Sequence, residues 1–183
     1  MIDVVHRPGT DSSDGSFQFG LDLNEVPVPS RRYIADVGCV VQSRGEVKLI
    51  FGQERIGTSS LRSMLIVQMS ELGAKQCLQS FVAMSPSLTD IAGTVGVESE
   101  KLSVDLVEPD QAVSFAANFV AAAIVGAEAC LDFYHASPFA LRSVHLSKKL
   151  SVEPVVRVDI RLSLLMAMID ELERIESQAN VAA

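Results

Sequence analysis

From Tyr33 onward, apolar and β-branched residues fall into short dense runs. Tyr33-Ile34-Ala35-Asp36-Val37-Gly38-Cys39-Val40-Val41 and Glu46-Val47-Lys48-Leu49-Ile50-Phe51 are parted by Gln42-Ser43-Arg44-Gly45. Two such runs predict a hairpin, with Gly45 supplying the positive φ of a tight turn. Past Gly57-Thr58-Ser59-Ser60, a loop by composition, residues 63–69 predict a third strand. Ser70 then stands at a helix N-cap, with Glu71 in the first turn, where negative charge meets the positive end of the helix dipole. Leu72, Cys77, Leu78, Phe81 and Val82 follow as one helical face.

The second half repeats this order. Residues 119–127 resemble 33–41, and Glu128-Ala129-Cys130-Leu131-Asp132-Phe133-Tyr134 lies over Glu46 to Gly52. Residues 155–160 predict a third strand and 162–175 an amphipathic helix with Leu165, Met168, Ile169, Leu172 and Ile175 inward. The hairpins are 82 residues apart, but Val67-Gln68-Met69 matches Val158-Asp159-Ile160 at an offset of 91, so the second copy carries nine extra residues. These fall in 137–153, read as a long loop. Two copies are too few for a solenoid, and the expected fold is α+β: duplicated β-β-β-α modules, an antiparallel sheet packed against helices. Residues 111–130 are alanine-rich and helical by propensity, whereas the repeat makes 119–127 a strand; we follow the repeat.

The expected domain map is a disordered acidic tail at 1–30, a first module at 31–84, an acidic linker at 85–118 and a second module at 119–183. The tail carries five acids, one arginine and three prolines. Phe17, Phe19, Leu21 and Leu23 alternate with polar or small residues there, which leaves an edge strand or docking segment as the other reading. Six acids and one lysine lie between Ala83 and Asn118, with Pro86, Gly93, Gly96 and Pro109 as breakers and one strand expected at 102–107.

Composition narrows the class. A chain of 183 residues that is 48% hydrophobic, with mean hydropathy +0.29, can bury a sizeable core, which excludes disordered and fibrous chains. Net charge of −8 and scattered basic residues argue against nucleic acid. Three cysteines far apart, Cys39, Cys77 and Cys130, fit buried thiols in a reducing cytoplasm better than a disulfide framework. The N-terminus shows no basic stretch followed by an apolar run, so no signal peptide is expected. The longest uncharged stretch, 111–127, contains Asn118 between Asp110 and Glu128 and is read as a buried element, not a membrane span.

Chemistry-bearing motifs are sparse. No G-x-S-x-G, C-x-x-C or glycine-rich phosphate cradle occurs. His135 and His145 flank the long loop, either as a metal pair or base or as solvated side chains; without helical spacing or clustered ligands the solvated reading is preferred. Asp170, Glu171, Glu173 and Glu176 read as an outward helix face, with Asp170 and Arg174 at pairing distance. Lys148-Lys149 near Arg142 is too short a basic run for nucleic acid, and without tryptophan few residues could stack on bases. No catalytic residue, metal or cofactor is expected. What remains is apolar surplus around the third strands and helices. Met64, Ile66, Met69, Leu164, Met166 and Met168 are the candidate partner-binding residues, for an oligomer interface or an adaptable groove. The other reading makes them intramolecular core.

The series Tyr33-Ile34-Ala35-Asp36, Glu46-Val47-Lys48-Leu49-Ile50-Phe51-Gly52 and Val67-Gln68-Met69-Ser70 leading into Ala74-Lys75-Gln76-Cys77-Leu78 resembles a family of short uncharacterised bacterial proteins, similar in layout to the export chaperone SecB. The likeness covers about 55 residues of each half. That family's pattern is roughly an aromatic and small-residue strand, an acid-hydrophobic-x-Leu-Asp-Phe-Gly strand and a Val-x-Met-Ser-Pro helix start; the second copy departs from it with Tyr134 for the glycine and Arg161-Leu162 for Ser-Pro, and the first with Glu71 for the proline. The resemblance implies a sheet beside a helix, homo-oligomeric assembly and non-enzymatic binding of apolar polypeptide segments or a partner protein, without nucleic acid or membrane. Two other readings stay open: a subunit of a larger phage- or defence-related assembly, and an enzyme with a site between the modules near 135–153, using His135 or His145 with Asp132 or Glu153.

Overall fold

The computed structural model describes residues 2–3, 26–54, 61–102, 112–147 and 149–182. The elements are β1 (Ile2–Asp3), β2 (Arg32–Ile34), β3 (Val37–Ser43), β4 (Glu46–Glu54), β5 (Leu61–Ser70), α1 (Glu71–Val95), β6 (Val113–Ala116), β7 (Phe119–Val125), β8 (Glu128–His135), α2 (Pro138–Ser147), β9 (Lys149–Leu150), β10 (Glu153–Arg161) and α3 (Leu162–Ala182). The fold is mixed α+β, with helices packed on two four-stranded sheets ordered β3-β4-β5-β6 and β2-β10-β8-β7. Each sheet has three antiparallel strands and one parallel edge strand, so the sheets are mixed where the pattern predicts purely antiparallel ones.

The parallel strands explain a feature the sequence conceals. The apolar run 33–41 reads as one strand, but it breaks at Ala35-Asp36, and β2 pairs with β10 while β3 pairs with β4. A matching exchange occurs at Ala117-Asn118, where β6 pairs with β5 and β7 with β8. Ala35 N–H donates to Asp159 O and Ala117 N–H to Gln68 O; Asp36 N–H donates to Gly52 O and Asn118 N–H to Tyr134 O, all at 3.0 Å. Both alanines are buried, as a crossing between two packed sheets demands of a side chain. Arg31, just before β2, sits 5.1 Å above the Phe115 ring of β6.

The hairpin turns have the expected chemistry. Arg44 and Gly45 adopt φ of 52° and 81°, and Gly126 of 59°, as two-residue loops require. The alanine-rich stretch forms β7, as the repeat predicts, and also β6, which lies within the expected linker, because cross-strand packing outweighs helix propensity. One core joins the inner faces of both sheets to α1 and α3, with Phe51 and Phe133 meeting at 6.1 Å between ring centroids.

Three expectations change. The loop expected at 137–153 contains α2 and β9: Ser137 Oγ accepts from Ala140 N–H at 3.2 Å and Pro138 opens the helix, a favourable N-terminal pair. The first eleven residues of the expected linker are helical, since α1 runs through Pro86 and keeps Leu88 and Ala92 in the core. Leu72 and Val82 leave the predicted inner face; Ala74, Cys77, Leu78 and Phe81 occupy it. The strand expected at 102–107 and most of the 1–30 tail lie outside the described residues, although Ile2–Asp3 pairs with β9 and Val26 is buried against Phe119 and Tyr134. Among the described residues, no helix is long and apolar enough to cross a membrane.

Candidate functional site

Helix α1 starts where the sequence places it. Ser70 has extended backbone angles and its Oγ accepts from Gly73 N–H at 3.1 Å, while Glu71 N–H reaches Gly45 O at 3.3 Å. This fixes the first turn against the β3-β4 hairpin. A Cβ on Gly73 would come within 3.3 Å of Asn118, so α1 approaches the second sheet closely here and a side chain at this position would have to displace Asn118 slightly. Helix α3 meets α1 here, and Lys75 Nζ lies 3.5 Å from Glu176 Oε1.

Between these helices opens a groove of about 320 Å³. Val47, Ala74, Leu78, Leu172 and Ile175 form its apolar floor, and Gln42, Glu71, Lys75 and Glu176 its polar lining. Leu72 also lines it and remains 65% exposed. An apolar trough with a charged margin suits an amphipathic polypeptide segment: apolar side chains gain burial while polar ones stay in water.

The sheet faces turned away from the core differ sharply in chemistry. Across β3, β4 and β5 the register aligns Cys39, Ile50 and Ile66 as a small buried apolar cluster. Across β7, β8 and β10 the corresponding row is Ala121, Asp132 and Arg157. Arg157 Nε and Nη2 donate to the two Asp132 oxygens at 2.6 Å each, a bidentate pair on a carboxylate residue only 9% exposed. The hydrogen bond to Asp132 raises the Arg157 guanidinium above its ordinary range. Arg32 and Asp159 make a second pair beside it.

This environment holds its neighbours protonated. Burial, then the Asp132 charge, push the Cys130 thiol up to about 11 and the Tyr134 hydroxyl up to about 12. Burial alone raises Cys39 to about 11 and Cys77 further. All three cysteines are free thiols. At pH 8 the folded protein is therefore expected to alkylate about a hundredfold more slowly than a model thiol, because the thiolate is the reactive form. Iodoacetamide labelling followed by mass spectrometry checks this, with the urea-unfolded chain as the fast reference; equal rates would refute it.

The predicted partner-binding residues divide. Met69, Leu164 and Met168 are core, and a Cβ on Gly38 would lie 3.5 Å from both Leu164 Cδ1 and Met168 Sδ, so α3 packs within van der Waals reach of β3. Met64 and Met166 are partly buried against that core, and Ile66 belongs to the outer apolar row. None of the six lines the groove. Asp132 is bound by Arg157, and among the described residues no histidine bonds to it. His135 stands opposite Glu153 in register, with a buried Nδ1 lacking a partner among the described residues; the His145 side chain lies outside them. Arg174 pairs with Glu171 rather than Asp170, which accepts from Ser99 Oγ at 3.0 Å. Among the described residues no group of three His, Cys, Asp or Glu side chains is placed to hold a metal. Sequence reasoning missed the groove residues Leu72, Lys75 and Glu176. Glu176 was read as part of an outward helix face, but nothing local paired elements so far apart in the chain.

The chain matches no family model, no curated protein and no solved structure.

Proposed function

We propose that this chain is a non-enzymatic polypeptide-binding protein of chaperone type, SecB-like in layout and built from a duplicated β-β-β-α module. It holds apolar segments of other proteins in the groove between α1 and α3. The observation that carries this reading is the apolar floor of that groove, open to solvent beside an exposed leucine. Duplication is supported by paired features at the offsets of 82 and 91. The crossing bonds at Ala35 and Ala117 match, and so do those by which Glu71 N–H and Leu162 N–H reach the hairpin turns at Gly45 and Ala127. Acidic net charge keeps an apolar surface soluble. Free thiols support a cytoplasmic setting, where such groups stay reduced.

Fluorescence anisotropy with a labelled, unstructured, leucine- and phenylalanine-rich peptide tests the reading. Micromolar binding is expected. Leu72→Asp is expected to weaken it about tenfold, since covering one exposed leucine contributes on the order of 1.5 kcal/mol or more. An unchanged affinity in that variant would remove the groove from the reading, and absence of binding to the folded wild-type protein would overturn it.

A further inference from the structure

We infer that the groove also docks a second copy of this chain, which inserts Phe139 and Arg142 from its helix α2. This rests on the groove geometry and adds an occupant to the function proposed above. Among the described residues Phe139 is the only aromatic side chain among the large exposed hydrophobics, and it is 85% exposed. It is not on a loose loop. Ser137 caps α2, and Ala140 and Leu141 pack inward on the cluster around Tyr134 and Leu150, so Phe139 and Arg142 stand one turn apart on the outer side of an anchored helix.

Charge selects the pairing. Residues 137–152 contain Arg142, Lys148 and Lys149 and no acid, in a chain with 23 acidic and 15 basic side chains. The groove is lined by Glu71 and Glu176 against one base, Lys75, which already faces Glu176. Two copies each of net charge −8 repel at random approach, but α2 against this groove brings opposite signs together. Size agrees as well. A cavity of about 150 Å³ is enough to take a benzene ring, so a groove of about 320 Å³ holds the Phe139 phenyl with room for the methylenes of Arg142 along its wall. Among the described residues, none of α2 lines the groove of its own chain. The contact places the α2 knob of one copy in the groove of another. Self-association then competes with segment binding, and the protein covers its own apolar trough when no segment is present.

Sedimentation velocity on the full chain tests this with two exposed-site variants, Phe139→Ser without the knob and Leu72→Lys with a groove that repels Arg142. Between about 5 and about 200 μM, a range suited to a small interface, the wild-type mass is expected to rise with concentration. Each variant alone is expected to stay monomeric. A one-to-one mixture of the two is expected to form a dimer and grow no further, because it holds one intact knob facing one intact groove. Circular dichroism confirms that both variants are folded. A wild-type monomer across the range, association that survives Phe139→Ser, or a mixture that stays monomeric would each overturn the docking. The peptide assay keeps the two ideas apart: peptide binding by a strictly monomeric wild type leaves the function standing without the docking, and a dimerising mixture that ignores peptide does the reverse.

Discussion

Replacing Arg157 with alanine is expected to destabilise the protein by about 3 kcal/mol, while replacing Asp132 and Arg157 together with isoleucine is expected to be neutral or stabilising. The single substitution strands a carboxylate that now receives two hydrogen bonds of 2.6 Å and has little access to water. Its cost falls toward the lower end for broken buried pairs, because the Arg157 side chain keeps 29% of its exposure. The double substitution removes both desolvated charges and imports a solution the protein already contains. At the matching place on the other sheet, Ile50 and Ile66 lie side by side with Cys39. A β-branched pair therefore fits such a pleated site, and adjacent isoleucines gain cross-strand packing. Urea unfolding followed by circular dichroism measures both proteins. An Arg157→Ala protein within about 0.5 kcal/mol of wild type, or a double variant weaker than the single one, would show that the ion pair is not the cost-laden element described here.

The same two rows show what the sequence made legible and what it hid. The strands were readable because β-branched runs mark both hairpins, Gly45 marks the first turn and Ser70 marks the start of α1, whereas Gly126, at φ 59°, ends β7 inside the run that read as one strand. Hydrophobic type, however, does not separate core from surface. Met69, Leu164 and Met168 have the same character as Ile66, yet they fill the interior while Ile66 lies on the far face of its sheet. Leu72 keeps helical company with Cys77 and Leu78, but the α1 axis turns it outward to the groove. The break at Ala35-Asp36 depends on a hydrogen bond to Asp159, well over a hundred residues away, so no local window contains its cause. Helix α2 was in principle visible in Ser137-Pro138. The extension of α1 through Pro86 was not, because a proline argues locally for a stop and only the burial of Leu88 and Ala92 outweighs it.

The largest single loss of stability is expected at the junction of the two sheets. Phe51 and Phe133 are fully buried with their rings tilted by 60° at 6.1 Å between centroids, within the range where aromatic pairs add to simple burial. Phe133→Ala is expected to cost about 3–5 kcal/mol, since the surrounding strands cannot collapse into the space. That is a large share of the roughly 5–15 kcal/mol that holds a domain together. Phe139→Ser, at an exposed site, is expected to change stability by no more than about 0.5 kcal/mol. The decisive measurement is a cycle made with leucine, which keeps enough volume for both double and single variants to fold. Because the two rings touch, Phe51→Leu with Phe133→Leu should lose about 0.5–1.5 kcal/mol less than the sum of the single losses. Each sheet takes an edge strand from the other half of the chain, so unfolding is also expected as one transition, seen alike by calorimetry and by far-ultraviolet circular dichroism. Strict additivity in the cycle would mean that the two sheets do not bear on each other through this pair, and two separated transitions would mean that the exchanged strands do not bind the halves into one cooperative unit.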